Sequence, residues 1–468
     1  MKFISLSLSI FFLSICLSAQ AFVRLPGILS NHMVLQQNSK VQIWGWSGPG
    51  EKIKVKTSWS DQIDSTKGMN TAKWSVNIQT PVAGGPYTIT IEGSNKIVLE
   101  DVLIGEVWVC SGQSNMEMNA DWGDSLILKD SPNANYPTIR FFKVEKTSSD
   151  DPQDDYPGSW VLCTPETMKH FSAVGYYFGS RIHNQLNFPM GLISSNWGGT
   201  PAEVWTPAEE IIHHDELVQA NSRLNPSDGW PKKPGIVYNS MIHPFLNFKI
   251  AGAIWYQGES NTGEDKTYTQ LLSTLIQSWR KAWKIDFPFY YVQIAPFQGY
   301  GQNLNGPLLR ESQTRVEELI PNTGMIVISD LVDDIKDIHP KNKKDVGWRL
   351  ADLALTKTYG QTNIPYQYPR FKSMEKKGNQ IKISFLNPEL GLLVKGKEIE
   401  GFSLAGEDGT YYPAKAKIIK GQISLTSKEV KSPQNVRFGF TNSSTPNLFS
   451  KEGLPVNLFR TDLKNNNP

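Results

Sequence analysis

Glu106-Val107-Trp108-Val109-Cys110-Ser111-Gly112-Gln113-Ser114-Asn115-Met116 opens with an apolar run that reads as a buried strand, and it ends in small polar residues that turn the chain. A strand with both faces apolar belongs to a parallel sheet covered by helices. In an open parallel sheet the working groups gather at the carboxyl ends of the strands. Ser114 stands just past such an end, with Gly112 two residues before it, so its hydroxyl can sit exposed on a tight turn. The stretch is not the GxSxG elbow of α/β-hydrolases, because Met116 occupies the last glycine position.

Outward from this stretch the same grammar continues. Buried strands at Val102 to Cys110, Met190 to Ser194, Ile250 to Trp255, Phe289 to Ile294 and Gly324 to Ser329 alternate with helical stretches at Val174 to Leu186, Tyr268 to Trp283 and Leu308 to Leu319. That alternation predicts an α/β domain over residues 101–365. On either side the period drops to two. Val41 to Trp46, Lys52 to Lys56 and Tyr87 to Ile91, with Gly-Pro turns between them, predict a small β-sandwich over 22–100. Gln380 to Phe385 and Val436 to Phe440 predict a β-rich domain over 366–468. At roughly 150 residues per domain, 468 residues fit this three-part division.

The first 21 residues read as a targeting segment. Lys2 supplies a positive start, Phe3 to Leu17 a short apolar run, and Ala19-Gln20-Ala21 a small-x-small cleavage signal. The expectation is an exported protein, periplasmic or secreted, whose mature chain begins near Phe22. The apolar run falls short of the roughly 20 residues that a membrane span needs. With 47 Lys and Arg against 45 Asp and Glu, the net charge is +2, which leaves no electrostatic footprint for nucleic acid. Beyond the targeting segment only Cys110 and Cys163 remain, without CxxC spacing, and they are expected to be unpaired core residues.

Three further segments fall where chemistry is expected. Asn196-Trp197-Gly198-Gly199-Thr200 follows one strand, and its paired glycines allow backbone N–H groups to approach a ligand. Trp255-Tyr256-Gln257-Gly258-Glu259-Ser260-Asn261 ends another. Asp337-Ile338-His339-Pro340 lies in a loop after the strand Gly324 to Ser329, and its His with a nearby carboxylate suits a general base. Serine is a weak nucleophile at its own pKa and needs such a base within hydrogen-bond reach.

In this order, Gly112-Gln113-Ser114-Asn115-Met116, Trp197-Gly198-Gly199-Thr200-Pro201, Trp255 to Asn261 and Asp337-Ile338-His339-Pro340 resemble the SGNH (GDSL-like) hydrolase superfamily. They are similar above all to its sialate O-acetylesterase branch. Asn31-His32-Met33-Val34-Leu35-Gln36-Gln37, Val237 to Ile242 and the Glu452 to Asp462 region carry the likeness beyond the central domain. The resemblance implies a three-layer α/β/α domain with a parallel central sheet, flanked by N- and C-terminal β-sandwich-like domains. It implies Ser114 as nucleophile, His339 as base and Asp337 as the third member. It further implies an oxyanion hole made from the Ser114 N–H, an N–H at Gly198 or Gly199 and the Gln257 amide, with Asn115 and Glu259 at the substrate.

Two departures stand out. Gln257 takes a place where the wider superfamily has Asn, and Lys336 stands three residues before His339, where many members have Asp, which leaves open a Ser–His pair oriented by a backbone carbonyl. The implied substrate is an O-acetylated sugar or sialoglycan, with no metal or organic cofactor required. Acetylated plant polysaccharide such as xylan is the alternative substrate, and a non-catalytic glycan-binding protein the alternative class. His32, His170, His183, His213, His214 and His243 are read as structural or surface residues. Arg310, Gln313 and Trp205 are read as packing, and so are most of the 14 tryptophans.

Overall fold

The computed structural model describes residues 22–462 except 124, 225–228 and 302, together with the side chain of Ser125; the expected targeting segment at 1–21 lies outside the described residues. Its backbone is one long strand, Lys96–Gly112, of 17 residues. The first part of this strand pairs antiparallel with Gly84–Glu92 in the N-terminal β layer, and Val34–Gln36 joins it in parallel at Leu103 to Gly105. Its second part is the centre of the catalytic sheet. The sequence-based boundary at 100/101 therefore falls inside a continuous strand, at the bend where Asp101 takes φ 53°.

Across the catalytic sheet the order is Thr323–Ile326, Phe289–Val292, Gly252–Tyr256, Lys96–Gly112, Met190–Asn196, Tyr136–Val144 and Trp160–Cys163. All neighbours run parallel except the last pair, which adds an antiparallel edge. Side chains on one face of the central strand meet one helix layer: Trp108 lies edge-on to Phe178, and the Cys110 sulfur lies against Gly175, both on helix Ala173–Leu186. The opposite face carries Trp255, which packs edge-on against Trp279 of helix Asp265–Trp283. Helices thus cover both faces, as the alternating pattern predicts. The chain has an α/β fold with a mainly parallel central sheet between helix layers.

The strand Tyr136–Val144 and the helix Lys343–Lys357 are additions to the expected elements. In the former, Pro137, Lys143 and the buried Arg140 interrupt the apolar pattern; Arg140 pairs with Asp101 at 2.8 Å. Cys110 and Cys163 are buried and unpaired.

The flanking β regions relate differently to the centre. The N-terminal strands Lys40–Trp46 and Lys73–Gln79 form one antiparallel layer over Lys52–Thr57, Ile63–Lys67 and Gly84–Glu92. Their buried Ile43, Ile53, Trp74 and Ile91 belong to the same apolar core as the catalytic sheet. Two four-stranded sheets and a two-stranded pair, Leu393–Val394 with Leu448–Phe449, make up the C-terminal region, which encloses a separate core around Ile381, Phe402, Leu425 and Phe438. It is tied to the centre by polar contacts, among them Arg460 donating to both oxygens of Glu311 at 3.0 and 2.8 Å.

Gly112 is the hinge between strand and site. It has φ 139°, and a Cβ there would lie 2.2 Å from the Tyr256 carbonyl oxygen. Gly112→Ala must therefore push two adjacent strand ends apart. Its thermal unfolding temperature is expected to fall by about 4 °C or more; calorimetry showing an unchanged transition would contradict this reading of the turn.

Candidate active site

Three loops leave the sheet at one level, because Gly112 pairs with Asn196 on one side and with Tyr256 on the other. The chain places Met190–Asn196 on one flank of the central strand and then crosses to Gly252–Tyr256 on the other. This reversal is the switch point where open α/β sheets bind ligands. The loops are stitched together at their origin. Gln113 N–H donates to the Tyr256 carbonyl at 3.0 Å, and Trp197 N–H donates to the Gly112 carbonyl at 3.1 Å. Gln113 Oε1 accepts from the N–H groups of Gly258 and Ser260, each at 3.3 Å.

Ser114 opens the short helix Ser114–Glu117, so its N–H has no acceptor within the helix. Its Oγ lies 2.9 Å from Nε2 of His339, across 225 positions of sequence. The loop that brings His339 there is anchored where Arg349 donates to both oxygens of Asp330 at 2.7 Å. Asp337 accepts the His339 backbone N–H at 2.9 Å, while its carboxylate stays 3.7 Å from Nδ1. Asp337 therefore acts on the imidazole by charge and by shaping the turn, without a hydrogen bond to the ring.

The geometry gives the other expected site residues these partners. Asn115 and Glu259, expected at the substrate, are buried against each other, Asn115 Nδ2 donating to Glu259 Oε1 at 2.6 Å. Asn115 Nδ2 also donates to the Ile338 carbonyl at 3.1 Å, and its Oδ1 accepts from Lys343 Nζ at 2.5 Å. This hub fixes the residue that precedes His339, so both side chains position that imidazole.

Gln257, expected in the oxyanion hole, has its amide engaged elsewhere. Nε2 donates to the Thr200 carbonyl at 3.3 Å and to Asn261 Oδ1 at 2.7 Å, and Oε1 accepts from Tyr268 at 2.9 Å. Gly198 N–H donates to Glu117 Oε2 at 2.7 Å. Of the expected donors, the N–H groups of Ser114 and Gly199 are the two without an acceptor among the described residues.

The Trp255 to Asn261 motif is thus a brace. Asn261 Nδ2 donates to Glu203 at 2.9 Å, and its Oδ1 also accepts the Ala202 N–H at 3.0 Å, which pins the Gly198–Thr200 loop against the sheet. Burial pushes the carboxyl of Glu203 up, opposed by the Asn261 hydrogen bond. The same cause raises Glu259, opposed by Asn115 and by the charge of Lys343. Trp205 donates to Thr200 Oγ1 at 2.9 Å, and Arg310 to the Thr441 carbonyl at 2.5 Å, so both pack as expected.

Residues 104–356, more than half of the chain, match the family described as carbohydrate esterase, sialic acid-specific acetylesterase. The chain belongs to this family. It is 30% identical over 420 residues to sialate O-acetylesterase of Mus musculus, covering 76% of this chain and 77% of that protein. With the Homo sapiens sialate O-acetylesterase it shares 31% identity over 395 residues, 76% of this chain and 75% of the other. A carbohydrate acetylesterase from Xanthomonas citri, known from its crystal structure, superposes with a TM-score of 0.86 at 35% identity, over 95% of this chain and 100% of that one.

In this carbohydrate esterase the imidazole of His339 is held below its ordinary pKa, first by burial and then by the charge of Lys343, while Asp337 opposes both. A lowered value keeps the ring neutral, and able to take a proton, further into the acid range. The acid limb of the kcat/KM profile should follow this group. Lys343→Met removes a cation and is expected to shift that limb to higher pH; Asp337→Asn removes an anion and is expected to shift it lower. Profiles measured on an ester substrate check both, and limbs that stay in place or move in the opposite directions would contradict the assignment.

Proposed function

We propose that this enzyme removes O-acetyl groups from sialic acids through a serine acetyl-enzyme. Ser114 is the nucleophile and His339 the general base. The observation that carries this is the 2.9 Å contact between Ser114 Oγ and His339 Nε2 at the sheet's switch point. Its chemistry follows directly. Neutral His339 takes the Ser114 proton as Oγ attacks the acetyl carbonyl carbon, and negative charge develops on the carbonyl oxygen. The free N–H groups of Ser114 and Gly199 are the donors for that oxygen. As the intermediate collapses, the C–O bond to the sugar breaks, and the imidazolium returns its proton to the departing sugar oxygen. Water, activated by the same imidazole, then attacks the acetyl-serine and releases acetate.

Membership in the family and likeness to the sialate O-acetylesterases support sialic acid as the sugar. The Xanthomonas citri relative, a carbohydrate acetylesterase, leaves the sugar open. Export is part of the same proposal, supported by the Lys2 to Ala21 pattern in the sequence.

Acetate release from O-acetylated N-acetylneuraminic acid beside acetylated xylan tests the substrate. Faster turnover of the sialic acid ester is expected, and the reverse preference would move the enzyme to plant polysaccharide. Ser114→Ala should lower kcat by about 10⁴ or more on either ester, and a variant retaining wild-type rates would remove the nucleophile.

A further inference from the structure

Of the 14 tryptophans, only Trp122 and Trp230 are strongly exposed, at 44% and 52%. Each lies one step removed from Ser114: Trp122 against His339, which contacts Ser114 Oγ, and Trp230 against Gly199, next to Gly198 beside the Ser114 Cβ. Trp122 meets the His339 ring edge-on, with centroids 5.6 Å apart and an interplanar angle of 73°. It ends a 3-10 turn, Ala120–Trp122, whose cap Asn119 accepts the Asp121 N–H at 2.9 Å; Asp121 in turn lies 2.8 Å from His170. Trp122 is therefore held in place while almost half of it faces solvent.

Trp230 lies over the other side. A Cβ on Gly199 would lie 2.5 Å from both Cδ2 and Cε2 of Trp230, the two atoms shared by the indole rings. The middle of the indole thus rests face-on against Gly199, which has φ 76°. Gly198, the next residue back, sits where a Cβ would touch the Ser114 Cβ at 3.2 Å. One tryptophan accordingly flanks His339 and the other the glycine loop, the two elements that themselves touch Ser114.

Large rings left open to water at a reaction centre mark a binding surface. A pyranose presents an apolar face of C–H bonds and a polar rim of hydroxyls, and indole is both flat and amphipathic enough to match it. We propose that Trp122 and Trp230 are the two walls of the subsite that takes the sugar ring bearing the acetyl ester. This rests on the reading of the enzyme as a carbohydrate acetylesterase and adds which residues recognise the carbohydrate. Neither side chain moves a proton. Their part is to hold the ring so that its ester carbonyl meets Ser114 Oγ.

The test compares kcat/KM for O-acetylated N-acetylneuraminic acid with that for ethyl acetate, an ester without a ring. The ratio of the two is expected to fall about tenfold in Trp122→Ala and in Trp230→Ala, mostly through KM for the sugar ester, and Phe at either position should restore most of it. General damage to the fold or to His339 lowers both rates together and leaves the ratio alone, so an unchanged ratio overturns the proposal. If the wild-type enzyme cleaves ethyl acetate but no sugar ester, the substrate reading fails by itself. The walls are then decided by titrating Ser114→Ala protein with the same acetylated sugar and following tryptophan fluorescence. Quenching that disappears when either tryptophan is replaced supports the subsite, and no binding overturns it.

Discussion

The double pairing of Gly112, to Asn196 on one side and Tyr256 on the other, sets everything else in the catalytic domain. It puts the ends of three strands level, so the Ser114 turn, the glycine loop and the Gln257 loop all start from one line of backbone hydrogen bonds. Only a residue without a side chain fits there, because the Tyr256 carbonyl occupies the space a Cβ would need. The fourth loop reaches this line from the far edge of the sheet, and Asn115 receives it by bonding the Ile338 carbonyl. Upstream, the same strand is also part of the N-terminal β layer, whose apolar core is continuous with that of the catalytic sheet. The active-site turn is thereby braced along two layers rather than one.

Much of this was legible in the sequence. Runs buried on both faces, such as Val102 to Cys110 and Met190 to Ser194, have few alternatives to a parallel sheet, and the strands and helices expected around them are present. The motif order also led to the two groups that meet, Ser114 and His339. Side-chain roles within the motifs were less legible. Gln257 and Gly198 are of the right type to donate to an oxyanion, and sequence cannot show that Thr200, Asn261 and Glu117 already engage them. Asn115 next to a nucleophile reads as a substrate contact; burial turns it into a support. The exposed tryptophans do carry a local signal, since Ala120-Asp121-Trp122-Gly123 and Gly229-Trp230-Pro231 are polar turn settings unlike the apolar run around Trp108, but nothing in that signal places them beside the site.

The polar residues behind the site form two separate layers of support. Glu203, Asn261, Gln257 and Tyr268 link the glycine loop to the sheet and to helix Asp265–Trp283. Lys343, Asn115 and Glu259 do the same for the His339 loop, bringing a cation near the imidazole. Buried networks of this kind are costly unless satisfied, and satisfied ones give a single rigid arrangement. The glycine-loop layer is satisfied at Gln257 and Asn261, while Glu259 Oε2 in the other has no hydrogen-bond partner among the described residues. A hydrolase gains from that rigidity, because its donors must already point at the place where charge appears. Recognition of the sugar is left to the mobile-solvent side, where two indoles stand open.

The most direct measurement is covalent labelling of the nucleophile. The protein is treated with diethyl p-nitrophenyl phosphate, which phosphorylates a serine activated by an adjacent imidazole, and the modified peptide is located by mass spectrometry. A single diethylphosphoryl group on Ser114, formed in step with loss of esterase activity and greatly slowed in His339→Ala, is the expected result. Inactivation with the label on another residue, or undiminished labelling of Ser114 without His339, would contradict the pairing on which the mechanism stands.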